Sequence, residues 1–198
     1  SAAVCDSDGI MNIPFSHIDK YTVLLKHASC IVIDCNLSES MIEYITTKFK
    51  NRIIIAEAVS SAKVIKLKKS LSKIYAVKLN RQEFESLYGI EYSQDNGKIM
   101  SVKYNNKIFV TEGVDGSTAY EQNNAIHISA IPASQIVSVN GAGDAYASGI
   151  AYGIMQGYDT LYCMRLAGIM SFITLSSPSA VSKEITKYKV LTMLKEMN

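Results

Sequence analysis

The apolar positions near the start of the chain form short runs separated by stretches of helical periodicity. Ile31–Cys35, Ile53–Ala56 and Tyr75–Leu79 are bounded by polar residues, as buried strands are. The helices predicted between and after them begin at Ser38, span about Ser61 to Leu71, and span Arg81 to Tyr88 before Gly89. This alternation predicts an α/β fold with a mostly parallel sheet covered by helices.

The middle of the chain has a different pattern, in which extended runs alternate with turn residues. The extended runs are Lys98–Tyr104, Lys107–Thr111, Ser117–Glu121, Ala125–Ile131 and Gln135–Val139. They are separated by Asn105-Asn106, Val114-Asp115-Gly116 and Asn123-Asn124, which are typical of tight turns. The pattern becomes helical again from Gly143, from about Asp159 to Leu175, and from about Lys183 to Met197. Because no repeat or linker interrupts the chain, we expect one continuous core.

Composition excludes several classes of function. The chain has 198 residues, 48% of them hydrophobic, which is enough to bury a sizeable core. Its net charge of +2 gives no basis for binding nucleic acid or an anionic membrane. Since it has neither a membrane-spanning apolar run nor a signal-peptide pattern, we expect a cytoplasmic protein. Cys5, Cys30, Cys35 and Cys163 lack zinc-like spacing, so we expect free thiols.

The segment from Ser138 to Gly149 carries the clearest chemical signal. An extended run enters Gly141-Ala142-Gly143, and a helix follows at once. Small residues let a ligand approach the backbone, and the unpaired first amides of a helix favour a phosphoryl group. Asp144 would repel a resting phosphate, so we expect it to take a proton from an attacking hydroxyl. The spacing alone is equally compatible with a tight turn in which Asp144 only caps the helix.

This segment resembles the second signature of the ribokinase-like carbohydrate kinases, the pfkB family, which reads D-T-x-G-A-G-D-x-F-x-x-G. The positions from Gly141 to Asp144 and Gly149 match, and Tyr146 stands at the aromatic position. The resemblance implies a three-layer α/β/α sandwich and ATP-dependent transfer of the γ-phosphoryl group to a sugar hydroxyl. It also implies that Asp144 is the catalytic base and that Gly141, Ala142 and Gly143 form the anion hole.

One position of the signature departs from the family. Ser138 replaces the usual Asp, which in many members helps to bind a monovalent cation, and Asn140 follows two positions later. This departure weakens the implication of a potassium site at Ser138 and Asn140.

A second motif, Lys78-Leu79-Asn80-Arg81-Gln82-Glu83, resembles the family's K-P-N-x-x-E. The resemblance implies that Asn80 and Glu83 arrange Mg²⁺ and the phosphates of ATP. A carboxylate and an amide just beyond a strand suit a hydrated Mg²⁺, which takes oxygen ligands. The alternative is that Glu83 only interacts with the dipole of the helix that it begins.

A third segment, Val110–Gly116, resembles the V-T-x-G-x-x-G strand and loop that passes beneath the nucleotide. The resemblance implies nucleotide contacts by Thr111, Gly113 and Gly116. A hairpin turn explains this segment equally well, but the three partial motifs occur in the order that the family has.

A narrower resemblance links the chain to the pseudouridine kinases. Ile33–Ser38 is similar to their V-D-A-N-L-S, Glu57–Lys63 to their E-P-V-S-x-x-K, and Ala3–Asp8 to their A-V-A-D-M-D. It implies pseudouridine as the acceptor and pseudouridine 5′-phosphate as the product; the alternatives are ribose, an adenosine-like nucleoside or another sugar. A homodimer is a further implication for full-length relatives.

Other features of the family are missing from this chain. The Gly-Gly signature and the residues that grip the substrate lie in the N-terminal part of the family and are not found here. We therefore expect residues 1–198 to be the C-terminal ATP-binding and catalytic portion of a single, incomplete domain. The competing hypothesis is a nucleotide-binding portion without catalytic activity.

Three further patterns have ordinary explanations. His17, His27 and His127 share no ligand spacing with the cysteines, so we expect surface or hydrogen-bonded histidines. A basic run, in which weak attraction of phosphate is the alternative to simple solvation, comprises Lys63, Lys66, Lys68, Lys69 and Lys73. A stripe predicted to be core, with an adenine-pocket wall as the alternative, comprises Tyr146, Ile150, Ile154, Tyr158, Tyr162, Leu166 and Ile169.

Overall fold

The structure is a computed structural model that describes residues 8–132 and 136–196. Its strands are β1 (Cys30–Asp34), β2 (Ile53–Glu57), β3 (Ala76–Asn80), β4 (Lys107–Thr111), β5 (Ser117–Glu121) and β6 (Asn124–Ile128). Its helices are α1 (Asp8–Met11), α2 (Phe15–Asp19), α3 (Thr22–His27), α4 (Glu39–Lys48), α5 (Ser61–Val64), α6 (Arg81–Tyr88), α7 (Gln94–Tyr104), α8 (Ala142–Met155), α9 (Thr160–Leu175) and α10 (Lys187–Glu196). The predicted α/β class is confirmed.

The six strands form one sheet in the order β1-β2-β3-β4-β5-β6. β1 pairs parallel to β2, with Asp34 opposite Glu57, and β2 pairs parallel to β3, with Glu57 opposite Lys78. The polar carboxyl ends of these three strands therefore meet at one edge of the sheet, where α/β proteins commonly bind their ligands.

The strands at the other end of the sheet are joined by short connections. Residues 112–116 link β4 to β5, and residues 122–123 link β5 to β6. Connections of this length are too short for a parallel crossover, so these strands form antiparallel hairpins, as the turn residues predicted. Gln122 has φ 53, which places the second turn in the left-handed region.

The described residues divide into two compact units whose boundary passes through β4 and β5. The first contains the chain up to Phe109 together with residues 120–123. Its core lies around β2 and β3, where Ile54, Ile55, Val77 and Leu79 are almost fully buried. Consecutive burial of this kind means that both faces of these strands are covered.

The second unit contains residues 110–119 and the chain from Asn124 onward. Its core is built on the α8–α9 pair and extends to α10 through Leu166, Ile169, Val190 and Leu194. Most of the predicted apolar stripe on α8 and α9 is buried as core; Tyr158 is an exception, because it is 36% exposed.

One predicted strand is wrong, because Lys98–Tyr104 belongs to helix α7. Ser93 caps this helix by accepting a hydrogen bond from the Asn96 amide at 3.2 Å. Ile99 and Val102 point to solvent, so the apolar positions of α7 lack the helical period that would have revealed it. The chain also forms α1, α2 and α3, which the pattern did not predict.

Three further boundaries differ from the prediction. The predicted Ser61–Leu71 helix is α-helical only to Val64 and continues as a 3₁₀ helix over Ile65–Lys73. Residues 136–139 form no strand, and Gln135 lies outside the described residues. The last helix begins at Lys187 rather than Lys183, because Ser182 starts a turn by accepting the Ile185 amide at 3.3 Å; Met197 lies outside the described residues.

The expected free thiols are confirmed for the described cysteines. Cys30, Cys35 and Cys163 form no disulfide, and Cys35 and Cys163 are buried. Burial raises the pKa of Cys35 to about 12, with Glu57 and Asp34 acting in the same direction. Cys5 and most of the Ala3–Asp8 motif lie outside the described residues. Within the described ranges, no helix is long and apolar enough to cross a membrane.

Candidate active site

The glycine turn before α8 adopts a conformation that a larger residue would disrupt. Gly141 has φ 81 and is the N-cap of α8, and a Cβ atom there would overlap the carbonyl oxygen of Ala180. The segment before it is fixed to the end of α9, since the Val137 and Ser138 amides donate to the Leu175 carbonyl oxygen at 2.9 and 3.3 Å. The turn therefore needs glycine both for its backbone angle and for space.

The first turn of α8 leaves backbone donors unused. The first helical hydrogen bond runs from the Ala145 amide to the Gly141 carbonyl oxygen at 2.8 Å, and the Ala142 amide makes a long 3.4 Å contact to Val139. Among the described residues, the Gly143 and Asp144 amides have no acceptor. Together with the dipole of a helix of 14 residues, these amides form a site suited to an anion.

Asp144 lies in the same first turn with its side chain exposed. Gly141 has no side chain to cap the helix, and the Asp144 carboxylate makes no hydrogen bond to a described residue. The purely structural alternative, in which Asp144 caps the helix, therefore has no contact to support it. An unengaged carboxylate beside unengaged amides is the arrangement that proton transfer at a phosphoryl group needs.

Two other positions of the signature have packing roles. A Cβ atom at Gly149 would lie 2.5 Å from the Ala167 Cα atom, so this glycine allows α8 and α9 to approach closely. Tyr146 is buried and donates to Ser117 Oγ at 2.8 Å. Burial raises the pKa of the Tyr146 hydroxyl, so Tyr146 stays a neutral donor.

The loop between β4 and β5 contains Thr111, Gly113 and Gly116. Gly113 and Gly116 have φ values of 62 and 102, and a Cβ atom at Gly116 would overlap the Ile128 carbonyl oxygen. The Glu112 amide closes the loop by donating to the Gly116 carbonyl oxygen at 2.8 Å. This geometry accounts for both glycines as hairpin residues; nucleotide contacts by the three residues stay a prediction.

Sequence reasoning missed a polar group next to this loop. The Glu112 side chain is 6% exposed and accepts from Thr118 Oγ1 at 3.0 Å, while His127 Nδ1 lies 3.0 Å from the same hydroxyl. His127 is thus a hydrogen-bonded histidine, as expected. No spacing in the sequence pointed to Glu112, because its partners come from two later strands.

Asn80 and Glu83, in the first unit, are brought together by a capping box. The Asn80 side chain accepts from the Glu83 amide at 2.9 Å, and Glu83 Oε2 accepts from the Asn80 amide at 2.7 Å. Glu83 is 4% exposed, and burial raises its pKa, while the Asn80 amide and Lys78 lower it. Glu83 therefore does more than interact with the dipole of α6, because its side chain also closes the N-terminus of that helix.

The capping box limits how these residues suit Mg²⁺. One carboxylate oxygen of Glu83 is not used by the box and suits a magnesium-bound water. The oxygen of Asn80 already accepts one hydrogen bond in the box, so a metal contact would use its second lone pair. Within the described ranges, no group of three or more His, Cys, Asp or Glu side chains is arranged to hold a metal ion.

A buried ion pair beside Glu83 was also missed. Lys78 Nζ donates to Glu57 Oε1 at 2.7 Å, and their side chains are 7% and 12% exposed. No local spacing in the sequence pointed to this pair, because only the parallel register of β2 and β3 places Glu57 opposite Lys78.

The remaining predicted positions lie in the second unit, near the turn before α8. The Asn140 amide donates to Ser138 Oγ at 3.2 Å. Both residues thus shape the entry to the turn, and a potassium site at Ser138 and Asn140 stays a prediction.

Comparison with known proteins identifies related kinases. The model of the pfkB family of carbohydrate kinases matches residues 16–187. A pseudouridine kinase from Escherichia coli K12 is 26% identical over 183 residues, which cover 90% of this chain and 58% of that protein. A 5-dehydro-2-deoxygluconokinase from Bacillus thuringiensis is 30% identical over 115 residues, covering 56% of this chain and 35% of that protein.

The fold of the chain is also similar to those of solved kinases. Arabidopsis thaliana ribokinase, solved with ribose and ATP, superposes with a TM-score of 0.76 at 20% identity, over 89% of this chain and 59% of that one. The ribokinase-like fold is therefore confirmed, although the chain spans about three fifths of the ribokinase and of the pseudouridine kinase. With a family match over most of its length, the chain belongs to the pfkB family of carbohydrate kinases.

Proposed function

We propose that this chain binds ATP with Mg²⁺ and takes part in transfer of the γ-phosphoryl group to a hydroxyl of a sugar or nucleoside. The observation that carries the proposal is the first turn of α8, where the free Gly143 and Asp144 amides lie beside an exposed carboxylate. Membership of a carbohydrate kinase family supports the same reaction.

Each part of the α8 turn has a separate role in this reaction. The amides of Gly143 and Asp144, with those of Gly141 and Ala142, stabilise the charge on the phosphoryl oxygens. The Asp144 carboxylate accepts the proton of the acceptor hydroxyl as its oxygen attacks phosphorus. Thr111, Gly113 and Gly116 contact the nucleotide.

Glu83 is the residue proposed to hold magnesium, through water, with the oxygen that the capping box leaves unused. Magnesium neutralises charge on the transferred group when it is bound. Asn80 holds Glu83 in place through the capping box and is the second residue proposed to arrange magnesium.

Pseudouridine is the proposed acceptor. The similarity to the E. coli pseudouridine kinase covers 90% of this chain, whereas that to the 5-dehydro-2-deoxygluconokinase covers 56%. Ribose and adenosine-like nucleosides are the alternative acceptors. A cytoplasmic location and a homodimer of the full-length protein are further predictions.

The test is phosphoryl transfer from ATP to pseudouridine, ribose, adenosine and 5-dehydro-2-deoxygluconate, detected as the phosphorylated product. We expect pseudouridine 5′-phosphate, and we expect Asp144→Asn to lower kcat by roughly 10²- to 10⁴-fold. Asp95→Asn is the matched control, because it removes an exposed carboxylate from the first turn of α7 and should leave kcat unchanged. Unchanged kcat in Asp144→Asn would contradict the role of Asp144 as a base.

A second candidate is a nucleotide-binding portion without catalytic activity. It is favoured by length, since the chain covers 58% of the pseudouridine kinase. Calorimetry with ATP and Mg²⁺ distinguishes the two candidates: binding with turnover supports the kinase, binding without turnover supports the second candidate, and absence of binding contradicts both.

A further inference from the structure

The ammonium group of Lys63 lies beyond the carboxyl ends of the parallel strands, where it hydrogen-bonds to one uncharged side chain. Its Nζ donates to Asn36 Oδ1 at 2.6 Å. Asn36 is fixed in turn by Asp34, whose carboxylate oxygens accept from the Asn36 backbone amide at 2.8 Å and from its side-chain amide at 3.0 Å. The Lys63 ammonium is therefore held in a defined position by the loop that follows β1.

No carboxylate within residues 8–132 and 136–196 lies within ion-pair distance of this ammonium group. Lys48, Lys78 and Lys107, by contrast, each contact a carboxylate oxygen. An ammonium has three N–H donors, and the structure uses one of those on Lys63. Because Lys63 is also half-buried, its charge is partly removed from water and favours an anionic partner.

The backbone that leads to Lys63 is held by specific contacts. Val59 has φ 66, a conformation that a β-branched residue rarely adopts, and the Ser60 amide donates across it to the Ala58 carbonyl oxygen at 2.8 Å. The Val59 amide donates to Glu57 Oε2 at 3.2 Å, while Lys78 fixes the other oxygen of Glu57. These contacts determine where α5 begins and so where Lys63 lies.

Lys63 also belongs to the same neighbourhood as the proposed magnesium ligand. Helix α5 packs against α6, whose first turn contains Glu83. These two helices follow β2 and β3, whose carboxyl ends form one edge of the sheet. Magnesium in phosphoryl transfer binds the outer phosphates of the nucleotide, where a lysine can bind further oxygens.

We propose that Lys63 binds an outer phosphoryl group of the nucleotide, as a residue additional to the Asn80–Glu83 pair of the same unit. The proposal rests on the proposed function, because it assumes that ATP occupies this site. It replaces simple solvation as the role of one lysine of the basic run. The same ammonium chemistry would suit the carboxylate of an acidic sugar, so the experiment separates these two sources.

The experiment measures the affinities for ATP, AMP and 5-dehydro-2-deoxygluconate by calorimetry in the presence of Mg²⁺. Lys63→Gln keeps a donor for Asn36 and removes the charge; we expect its Kd for ATP to rise roughly 10- to 100-fold, while its Kd for AMP is unchanged. Lys63→Arg should restore most of the affinity, because it restores the charge. Lys68→Met is the matched control, since Lys68 is an exposed lysine of the same run. Unfolding midpoints without ligand should agree among the variants.

Four outcomes would contradict the proposed contact between Lys63 and an outer phosphoryl group of ATP. ATP binding by Lys63→Gln as tight as in the unsubstituted chain would remove Lys63 from the site and leave the proposed function standing. Equal losses in Lys63→Gln and Lys68→Met would show general charge attraction. Loss of affinity only for 5-dehydro-2-deoxygluconate would assign Lys63 to the acceptor. Absence of ATP binding to the unsubstituted chain would overturn the proposed function as well.

Discussion

Helices α6 and α8 carry an acidic residue at the same position of their first turns, yet their N-termini differ. Glu83 of α6 is buried and reaches back to the N-cap amide, while Asn80 accepts the Glu83 amide. Asp144 of α8 is exposed, and the N-cap Gly141 has no side chain to offer. The capping box closes the N-terminus of α6, whereas the Gly143 and Asp144 amides of α8 have no acceptor among the described residues.

The same helix position thus has a structural role in α6 and a proposed chemical role in α8. A capping box uses the donors that an anion would need, so α6 cannot bind a phosphoryl group with the same amides. The glycine turn of α8 forgoes the stabilisation of a side-chain cap and keeps those amides available. Substitutions in the first turns of α6 and α8 test this difference between the two helix N-termini.

The largest expected effect on stability is at the glycine turn of α8. Gly141→Ala should lower the free energy of unfolding by about 3 kcal/mol, because it adds a left-handed backbone penalty to a steric overlap with Ala180. Gly157→Ala is the matched control: Gly157 has φ 73 with open space around it, so its loss should be about 1 kcal/mol. Urea unfolding measures both values. Equal losses would show that the contact with Ala180 does not shape the turn.

A smaller loss of stability should distinguish the capped N-terminus of α6 from the uncapped N-terminus of α8. Asn80→Ala removes the N-cap acceptor of α6 and should lower the free energy of unfolding by about 1–2 kcal/mol. Asp144→Ala should change it by less than about 0.5 kcal/mol, because the exposed Asp144 side chain makes no hydrogen bond or ion pair to a described residue. The same urea experiment compares them. A loss in Asp144→Ala as large as that in Asn80→Ala would make Asp144 a structural cap.

The smallest expected effect is a change with pH at Glu83. Burial raises the pKa of Glu83 in the folded chain, so its contribution to stability is full below its unfolded pKa and is lost as pH rises through the folded pKa. Glu83→Gln does not titrate and keeps an acceptor for the Asn80 amide. The stability of Glu83→Gln relative to the unsubstituted chain should therefore increase from pH 4 to pH 7. A difference that is independent of pH would contradict the burial of this carboxylate.

Much of the fold was predictable from local sequence pattern. The strands from β1 to β5 lie within a residue of their predicted positions. Short apolar runs between polar residues indicated β1 to β3, and turn residues marked the ends of β4 and β5. Helix α7 was not predictable in this way, since Ile99 and Val102 are exposed and leave no apolar face. Its N-cap, Ser93, was visible in the sequence, but a cap without helical periodicity is a weak signal.

In the candidate site, too, local features could be predicted from the sequence, and contacts between distant residues could not. The glycine turn at Gly141 could be predicted because it is local to the motif, while the chemical role of Asp144 stays a prediction. The spacing of Asn80 and Glu83 is also that of a capping box, a signal that sequence reasoning did not use. The pairing of Lys63 with Asn36 joins residues far apart in the chain, and only the fold brings them together.

The central claim is that the open end of α8 binds the phosphoryl group while Asp144 acts on the acceptor. The most direct measurement is the Kd of Asp144→Asn for ATP with Mg²⁺, determined by calorimetry beside its kcat. We expect ATP to bind as tightly as in the unsubstituted chain or more tightly, since a repelling carboxylate has been removed, and we expect kcat to fall. Weaker ATP binding, or an unchanged kcat, would contradict it.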